Sequence, residues 1–515
     1  MEKKPPIFET IDDVSRIIIT FIVMTGTFMA ILDTTIVDVV IPKMMSPLKT
    51  DIYGVQWVIT AYMAAAATGL LLIESLVQVV GLKNLFLIGV ALFTFSSVAC
   101  GFAHNLSQMI IFRCIQGLGE AFIVATAQTI VFSIYPPEKK GIAMGIYGMG
   151  VSFAPALGPT LGGYLTEYFN WRYVFFVNLP VGIIVVLIGS LILPVIVEKK
   201  EKWSFNFYSY IFFAGFTIPL LILLSKGQEK GWFQSSFIIT LLFISIGSLI
   251  IYIFSEIVSK VKLIDPSIFK IRQYTVAIIV YFFTLGLSIY QIFYLLPLYY
   301  ENLKGYTTLQ TGLHMLAFAI FIGFTSIFAG ILSDKYGEKN ILVINAFLYI
   351  TTSIFLIPKL NYYTPSIKTI LLTIPLGFAL GSFFAPITTL AMRHLGNKTQ
   401  LGVGVLQYIR FMGGSFGTAI ATNTLQSKIA LHYEGIGSLQ NYLFVKNYLN
   451  KIDNKLSILM NPDLASIKAK ILLGKVQTLM SGSYAFQDTF RHSGYFGILG
   501  LSFLIFLFIF KEKKS

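Results

Sequence analysis

Charge is scarce in this chain. Only 12% of its 515 residues are Asp, Glu, Lys or Arg, about half the share of a soluble domain. By contrast, 56% are apolar and the mean hydropathy is +0.76. That scarcity excludes an ordinary soluble enzyme, a coiled coil and a disordered tail. Cysteine is scarcer still: Cys100 and Cys114 both fall inside apolar runs. Neither a disulfide framework nor a thiolate zinc site follows from them, and both read as small buried side chains. There is no Gly-x4-Gly-Lys-Ser/Thr phosphate loop, no His-Glu-x-x-His and no Gly-x-Ser-x-Gly. ATP hydrolysis and the familiar metal and serine-nucleophile chemistries are therefore undeclared, and no cofactor is expected. The alternation that a membrane β-barrel requires is missing as well.

What is present is a series of continuous apolar runs. Fourteen of them are long enough to cross a bilayer, at 16–41, 53–80, 85–103, 107–135, 141–166, 172–196, 207–224, 236–260, 274–300, 309–333, 341–358, 367–391, 402–426 and 493–510. The run after Arg16 is itself long enough to span, so the amino terminus does not read as a cleaved signal. The chain is expected to be an all-α polytopic membrane protein. Residues 1–15 form a cytoplasmic N-terminus, 16–196 a six-helix half, 197–273 two inserted helices with linkers, 274–510 a second six-helix half, and 511–515 a cytoplasmic tail. One long connection, Ser427 to His492, spans 66 residues and is expected outside the cytoplasm. It should fold as two helical stretches around Asn461-Pro462.

The formal charge of +14 arises from 38 basic against 24 acidic residues. With the amino terminus cytoplasmic, the inner segments hold twenty Lys and Arg, including Lys3, Lys4, Lys199, Lys200, Lys202, Lys511, Lys513 and Lys514, and the short outer segments hold eight. The basic excess is thus topological, both termini are expected inside, and no nucleic-acid partner is needed.

An internal echo organises the chain further. Gly330-Ile-Leu-Ser-Asp334-Lys335-Tyr-Gly337-Glu-Lys339 joins the tenth and eleventh runs, and Glu74-Ser-Leu-Val-Gln78-Val-Val-Gly81-Leu-Lys83 occupies the matching place between the second and third. Repeated helical halves with a path between them are transporter architecture.

The motif at 330–339 resembles the loop signature of the major facilitator superfamily. Further matches resemble its fourteen-span drug:proton antiporters of the EmrB/QacA type: Leu32-Asp33-Thr34-Thr35-Ile36-Val37 ahead of Ile41-Pro42, Gln56-Trp57-Val58 with Tyr62, Arg113-Cys-Ile-Gln116-Gly117, the antiporter motif Gly158-Pro159-Thr-Leu-Gly162-Gly163, and Arg410-Phe-Met-Gly413-Gly414. The resemblance implies two six-helix halves plus two inserted helices, and a proton-coupled exporter of amphipathic or cationic drugs working by alternating access in a bacterial inner membrane. A dedicated metabolite or siderophore exporter is the alternative on the same scaffold, and a membrane sensor or enzyme is a third reading. The resemblance also implies protons and lipid as partners, and in double-membrane bacteria a periplasmic adaptor leading to an outer-membrane channel. The sequence departs from the pattern at Glu74, Gln78 and Val79 in the first-half loop, at Asp38, and at Glu120.

Ionisable groups within apolar spans are functional candidates by default. At 1.5 Å of rise per residue, Asp33 lies about 12 Å and Arg113 about 9 Å below the outer ends of their spans, so the two can meet at one level. The resemblance selects the same two residues for proton coupling; a structural ion pair is the other reading. Glu120 lies two turns beyond Arg113 on one face, about 20 Å down, and could relay a proton. Asp38 is expected at the solvated rim. Glu74 could draw cations into an inner vestibule or anchor a loop, and Arg410, about 12 Å inside its span, could touch substrate or pin the helix. His314 reads as packing. Tyr62, Tyr147, Tyr290, Phe293 and Tyr294 are available to stack on a flat cation, and the Gly-Pro cluster reads as a seal or hinge.

Overall fold

The computed structural model describes residues 7–195 and 205–509. Lys3, Lys4, Lys199, Lys200, Lys202 and the 511–515 tail lie outside the described residues. Among the described residues there is no strand. This follows from the sequence: in lipid an apolar run satisfies its backbone only as a helix.

The helices, in chain order, are α1 (Asp13–Met44), α2 (Trp57–Leu70), α3 (Ile73–Val80), α4 (Leu82–Gly101), α5 (Leu106–Ile134), α6 (Lys140–Tyr168), α7 (Tyr173–Ile192), α8 (Phe207–Lys226), α9 (Ser236–Val258), α10 (Arg272–Leu303), α11 (Thr308–Tyr336), α12 (Glu338–Lys359), α13 (Ser366–Met392), α14 (Thr399–Ser438), α15 (Leu443–Ser457) and α16 (Pro462–Ser502). Among the described residues, eleven helices are long and apolar enough to cross a bilayer, and two bent pairs bring the number to 13. The second run is one such pair, α2 and α3, meeting at 61°; α6 bends by 41° between Pro155 and Leu157, where proline removes a ladder hydrogen bond. The fourteenth rod is α14. It carries Gln400, Gln407 and Arg410 and is too polar to pass as a span by composition, yet much of it is buried against α10 and α16.

The expected last span at 493–510 falls, as far as it is described, within a much longer helix, and the independent outer segment at 427–492 needs correction. Helix α14 runs on to Ser438, and α16 begins at Pro462 and continues unbroken through Ser502. Only α15 and its flanking turns are separate from these long helices. The expected break at Asn461-Pro462 is there, with Asn461 capping α16 through the Asp463 N–H. The composition missed the extension because Ser481, Gly482, Ser483, Ser493, Gly494 and Gly497 are small rather than apolar, and they are buried in contact with neighbouring helices.

The internal echo is visible in the backbone. Gly81 and Gly337 close α3 and α11 with the same left-handed φ of +85°, a conformation that leaves the position to glycine. The two helical sets meet along two seams. At one, α6 packs against α11 over its whole length; at the other, α2 and α14 cross, and α8 of the inserted pair covers that crossing with α9 packed on α8. Thr217 Oγ1 bonds Tyr408 Oη at 2.8 Å and Thr60 Oγ1 bonds Ser225 Oγ at 2.8 Å, fixing α8 to both sides of the seam. The first and last described residues lie at one end of the bundle, the terminal end; α15 stands at the other, the far end.

Candidate functional site

Asp33 on α1 and Arg113 on α5 meet in the interior, 1% exposed each. Arg113 Nη1 donates to Asp33 Oδ2 at 2.5 Å and to Gln116 Oε1 at 2.8 Å, and Arg113 Nε donates to the Val58 carbonyl at 3.3 Å. The other carboxylate oxygen, Asp33 Oδ1, accepts from Asn178 Nδ2 at 2.7 Å, and the same amide also donates to Ser97 Oγ at 3.0 Å. A buried ion pair holds its charges only if the leftover lone pairs and protons are satisfied. Here Asn178, Gln116 and the Val58 carbonyl do that.

Tyr62 is the aromatic that the pair recruits. Its ring lies under the Arg113 guanidinium at 3.9 Å, so its cation is internal. The approach of α2 to α5 that allows this rests on Gly117, where a Cβ would press on the Tyr62 carbonyl and come within 3.1 Å of the Ala66 nitrogen.

Glu120 is also 1% exposed, and its Oε2 has no hydrogen-bond partner. The Tyr62 hydroxyl lies beside it, and from the other half Arg410 is near enough for its charge to be felt. Asp33, Arg113, Tyr62 and Glu120 thus follow one another on the first half, with Arg410 across the seam on the second. Arg410 makes no hydrogen bond or ion pair with any described residue.

Asp38 is exposed, yet it is near enough to Asp33, Arg113 and Tyr294 to feel their charge or dipole. Tyr294 Oη accepts from Thr422 Oγ1 at 3.0 Å, and the Tyr290 ring packs on Gly414. Both join α10 to α14. Tyr147 donates to the Val124 carbonyl at 3.0 Å and stacks with Phe384, and His314 bonds the Gln310 carbonyl at 2.8 Å beside Tyr306, a packing role.

Towards the terminal end the path is shut. Gln407 Nε2 donates to Gln128 Oε1 at 2.5 Å across the halves, and Gln128 in turn reaches Met392 Sδ at 3.4 Å. Beyond that plug, Asp334 accepts from the Gly141 and Ile142 N–H groups at 2.7 and 2.8 Å, at the start of α6, and Arg393 spans Asp334 and Glu338 at 3.5 and 2.9 Å. Lys335 lies over the Tyr336 ring, and Lys339 opens α12. The matching place in the first half has Gln78 instead of an acid. There Glu74 is half-buried beside Leu71, Gln400 and Gly404. Lys398, at the start of α14, pairs with Asp265 from the linker after α9 at 2.5 Å, and Lys398 and Ser267 hold the Asp265 carboxyl down to about 2.

The Gly-Pro cluster packs tightly. A Cβ on Gly158 would strike Thr35 and one on Gly163 would come within 3.0 Å of the Leu309 nitrogen, while Gly162 contributes its carbonyl to Thr166 Oγ1 at 2.8 Å.

Asp334→Ala would strip two amides at a helix N-terminus of a charged acceptor, a loss of about 2–3 kcal/mol. Hydrogen–deuterium exchange at Gly141 and Ile142 is expected to quicken by about tenfold or more. Unchanged exchange at both amides would remove Asp334 from the closure.

Sequence reasoning missed Asn178 and Ser97. The only available signal was a lone amide, Asn178-Leu-Pro, inside an apolar run.

The family profile described as Major Facilitator Superfamily matches residues 23–418. The chain is 32% identical over 430 residues to the probable multidrug resistance protein EmrY of Escherichia coli (strain K12), covering 81% of each. It is 30% identical over 438 residues to the riboflavin transporter RibZ of Clostridioides difficile (strain 630), covering 84% of this chain and 92% of that one. The solved proton:xylose symporter XylE superposes with a TM-score of 0.61 over 96% of both chains at 12% identity, a likeness of fold. Sequence, fold and family thus agree that this is a multi-pass membrane transporter of the Major Facilitator Superfamily, of the EmrB/QacA drug-transporter type.

Proposed function

We propose that the chain exports amphipathic compounds across the cytoplasmic membrane in exchange for protons, by alternating access. The observation that carries this reading is the Asp33–Arg113 pair, buried and held on both sides by Asn178 and Gln116. While the guanidinium is in place the carboxylate keeps its charge. A substrate, or a closure that moves Arg113 aside, withdraws that support and lets Asp33 take up a proton. Proton and substrate then compete for one state of the pair, which is what antiport requires. Glu120 extends the series inward.

The same reading puts both termini and the Asp334 lock in the cytoplasm, following the twenty-to-eight bias of Lys and Arg. It places α15 and the turn after it outside, where the exposed Leu443, Phe444, Tyr448 and Leu459 offer a docking face to a periplasmic adaptor and, through it, an outer-membrane channel. Export of one dedicated metabolite is the second reading, favoured by the 30% identity to a riboflavin transporter.

Everted vesicles loaded with this protein and given a panel of aromatic cations and metabolites, with and without a pH gradient, test the proposal. Uptake into the vesicles is expected to depend on the gradient, and Glu120→Gln and Arg113→Ala should each displace its pH profile by about one unit. Gradient-independent uptake would end the antiport reading, and unmoved profiles in both variants would reduce the two residues to packing.

A further inference from the structure

Arg410 is 4% exposed and has no hydrogen bond or ion pair among the described residues, its nearest ring being that of its own neighbour Phe411 at 5.1 Å. An uncompensated buried guanidinium is expensive. It is not misplaced by a loose helix: Gly286 and Gly413 bring α10 and α14 into backbone contact, a Cβ on Gly286 falling 2.6 Å from the Gly413 Cα. From α10, Tyr281 and Tyr290 are near enough to the guanidinium to feel its charge, and the Tyr281 hydroxyl is also without a partner. Across the seam stands Glu120, equally buried, with the Tyr62 hydroxyl beside it and no ion pair to Arg410. A buried guanidinium and a buried, titratable carboxyl thus stand on the two halves without closing on one another.

We infer that this central site takes an amphipathic zwitterion, its anionic group on Arg410, its cationic group on Glu120 and its aromatic body along Tyr62, Tyr281 and Tyr290. Each end of such a ligand compensates one buried charge, and the ligand bridges the halves whose relative motion carries it. A purely cationic compound satisfies Glu120 and leaves Arg410 against it. Protonation of Glu120 discharges the cationic end of the site, so proton and zwitterion exclude each other, as the exchange proposed above needs. The inference rests on that reading for the site's location and deepens it by naming the substrate class.

The test is equilibrium binding to the purified full chain in lipid nanodiscs at neutral pH, without a gradient, followed by fluorescence anisotropy. The probes are rhodamine B, whose xanthene cation carries a free carboxylate, and its ethyl ester, which lacks the anion. Wild type is expected to bind the acid about tenfold or more tightly than the ester. Arg410→Ala should bring the two dyes within about threefold of each other, chiefly by weakening the acid, and Arg410→Lys should retain most of the preference. Equal affinities in wild type, binding of neither dye, or an acid preference surviving Arg410→Ala would each overturn the inference. Because no gradient is present, an acid preference with gradient-independent vesicle uptake sinks the antiport reading alone, and the reverse sinks only the zwitterion site.

Discussion

Asp33→Asn is expected to abolish gradient-driven export, a loss of about 100-fold or more, while the protein still inserts. The side chain is nearly isosteric and still offers one oxygen, so the Asn178 amide keeps its acceptor and the path keeps its shape. What disappears is the charge that answers Arg113 and the only atom in the pair that can take and give up a proton. Removing one partner of a buried pair costs about 3–5 kcal/mol, so some destabilisation accompanies the loss. The effect on stability and the effect on transport separate with Asp33→Glu, which restores a titratable acid in a slightly wrong position. Efflux from vesicles energised by a pH jump, normalised to inserted protein, is the measurement, and gradient-driven efflux at the wild-type rate in Asp33→Asn would sink the assignment of Asp33.

Those two residues were legible because acids and arginines are rare in apolar spans, and because helical rise converts a residue count into a depth. What the sequence does not carry is azimuth. Helix α7 is apolar all round, so nothing marks the face on which Asn178 points at Asp33. The aromatics are 15% of the chain, and which of them lies under Arg113 is decided by a backbone approach at Gly117, a property of packing between α2 and α5. Arg410 was found by the same depth argument, but whether it had a partner depended on α10, a helix more than a hundred residues upstream. The far-end reach of α14 and α16 was hidden for another reason. Helices that bury small residues against each other need no apolar surface, so hydropathy underestimates them.

The second large effect lies at the α6–α11 seam, where glycines hold the halves together at both ends. Near the terminal end, a Cβ on Gly330 would lie 2.8 Å from the Gly141 carbonyl carbon and 3.0 Å from the Ile142 Cα. Near the far end, a Cβ on Gly312 would lie 2.6 Å from both the nitrogen and the Cα of Thr160. In each case the obstacle is backbone, which cannot swing aside as a side chain can. Gly330→Val therefore wedges the terminal end apart and lifts Asp334 off the Gly141 and Ile142 amides, whereas Gly312→Val wedges the far end. An overlap of that size costs about 2–3 kcal/mol in the closed arrangement, enough to invert a two-state equilibrium of similar size. With Cys100 and Cys114 replaced by Ala, maleimide labelling of a cysteine placed at Glu74, at the terminal end, should rise by about tenfold or more in Gly330→Val and fall in Gly312→Val. A cysteine at Asn423, exposed on the far half of α14, should respond in the opposite sense. The reciprocal pattern distinguishes a seam that rocks between two closed ends from one that merely loosens. If both variants raised labelling at both positions, the glycines would be packing sites of a single rigid body and the alternating motion would have to be sought elsewhere.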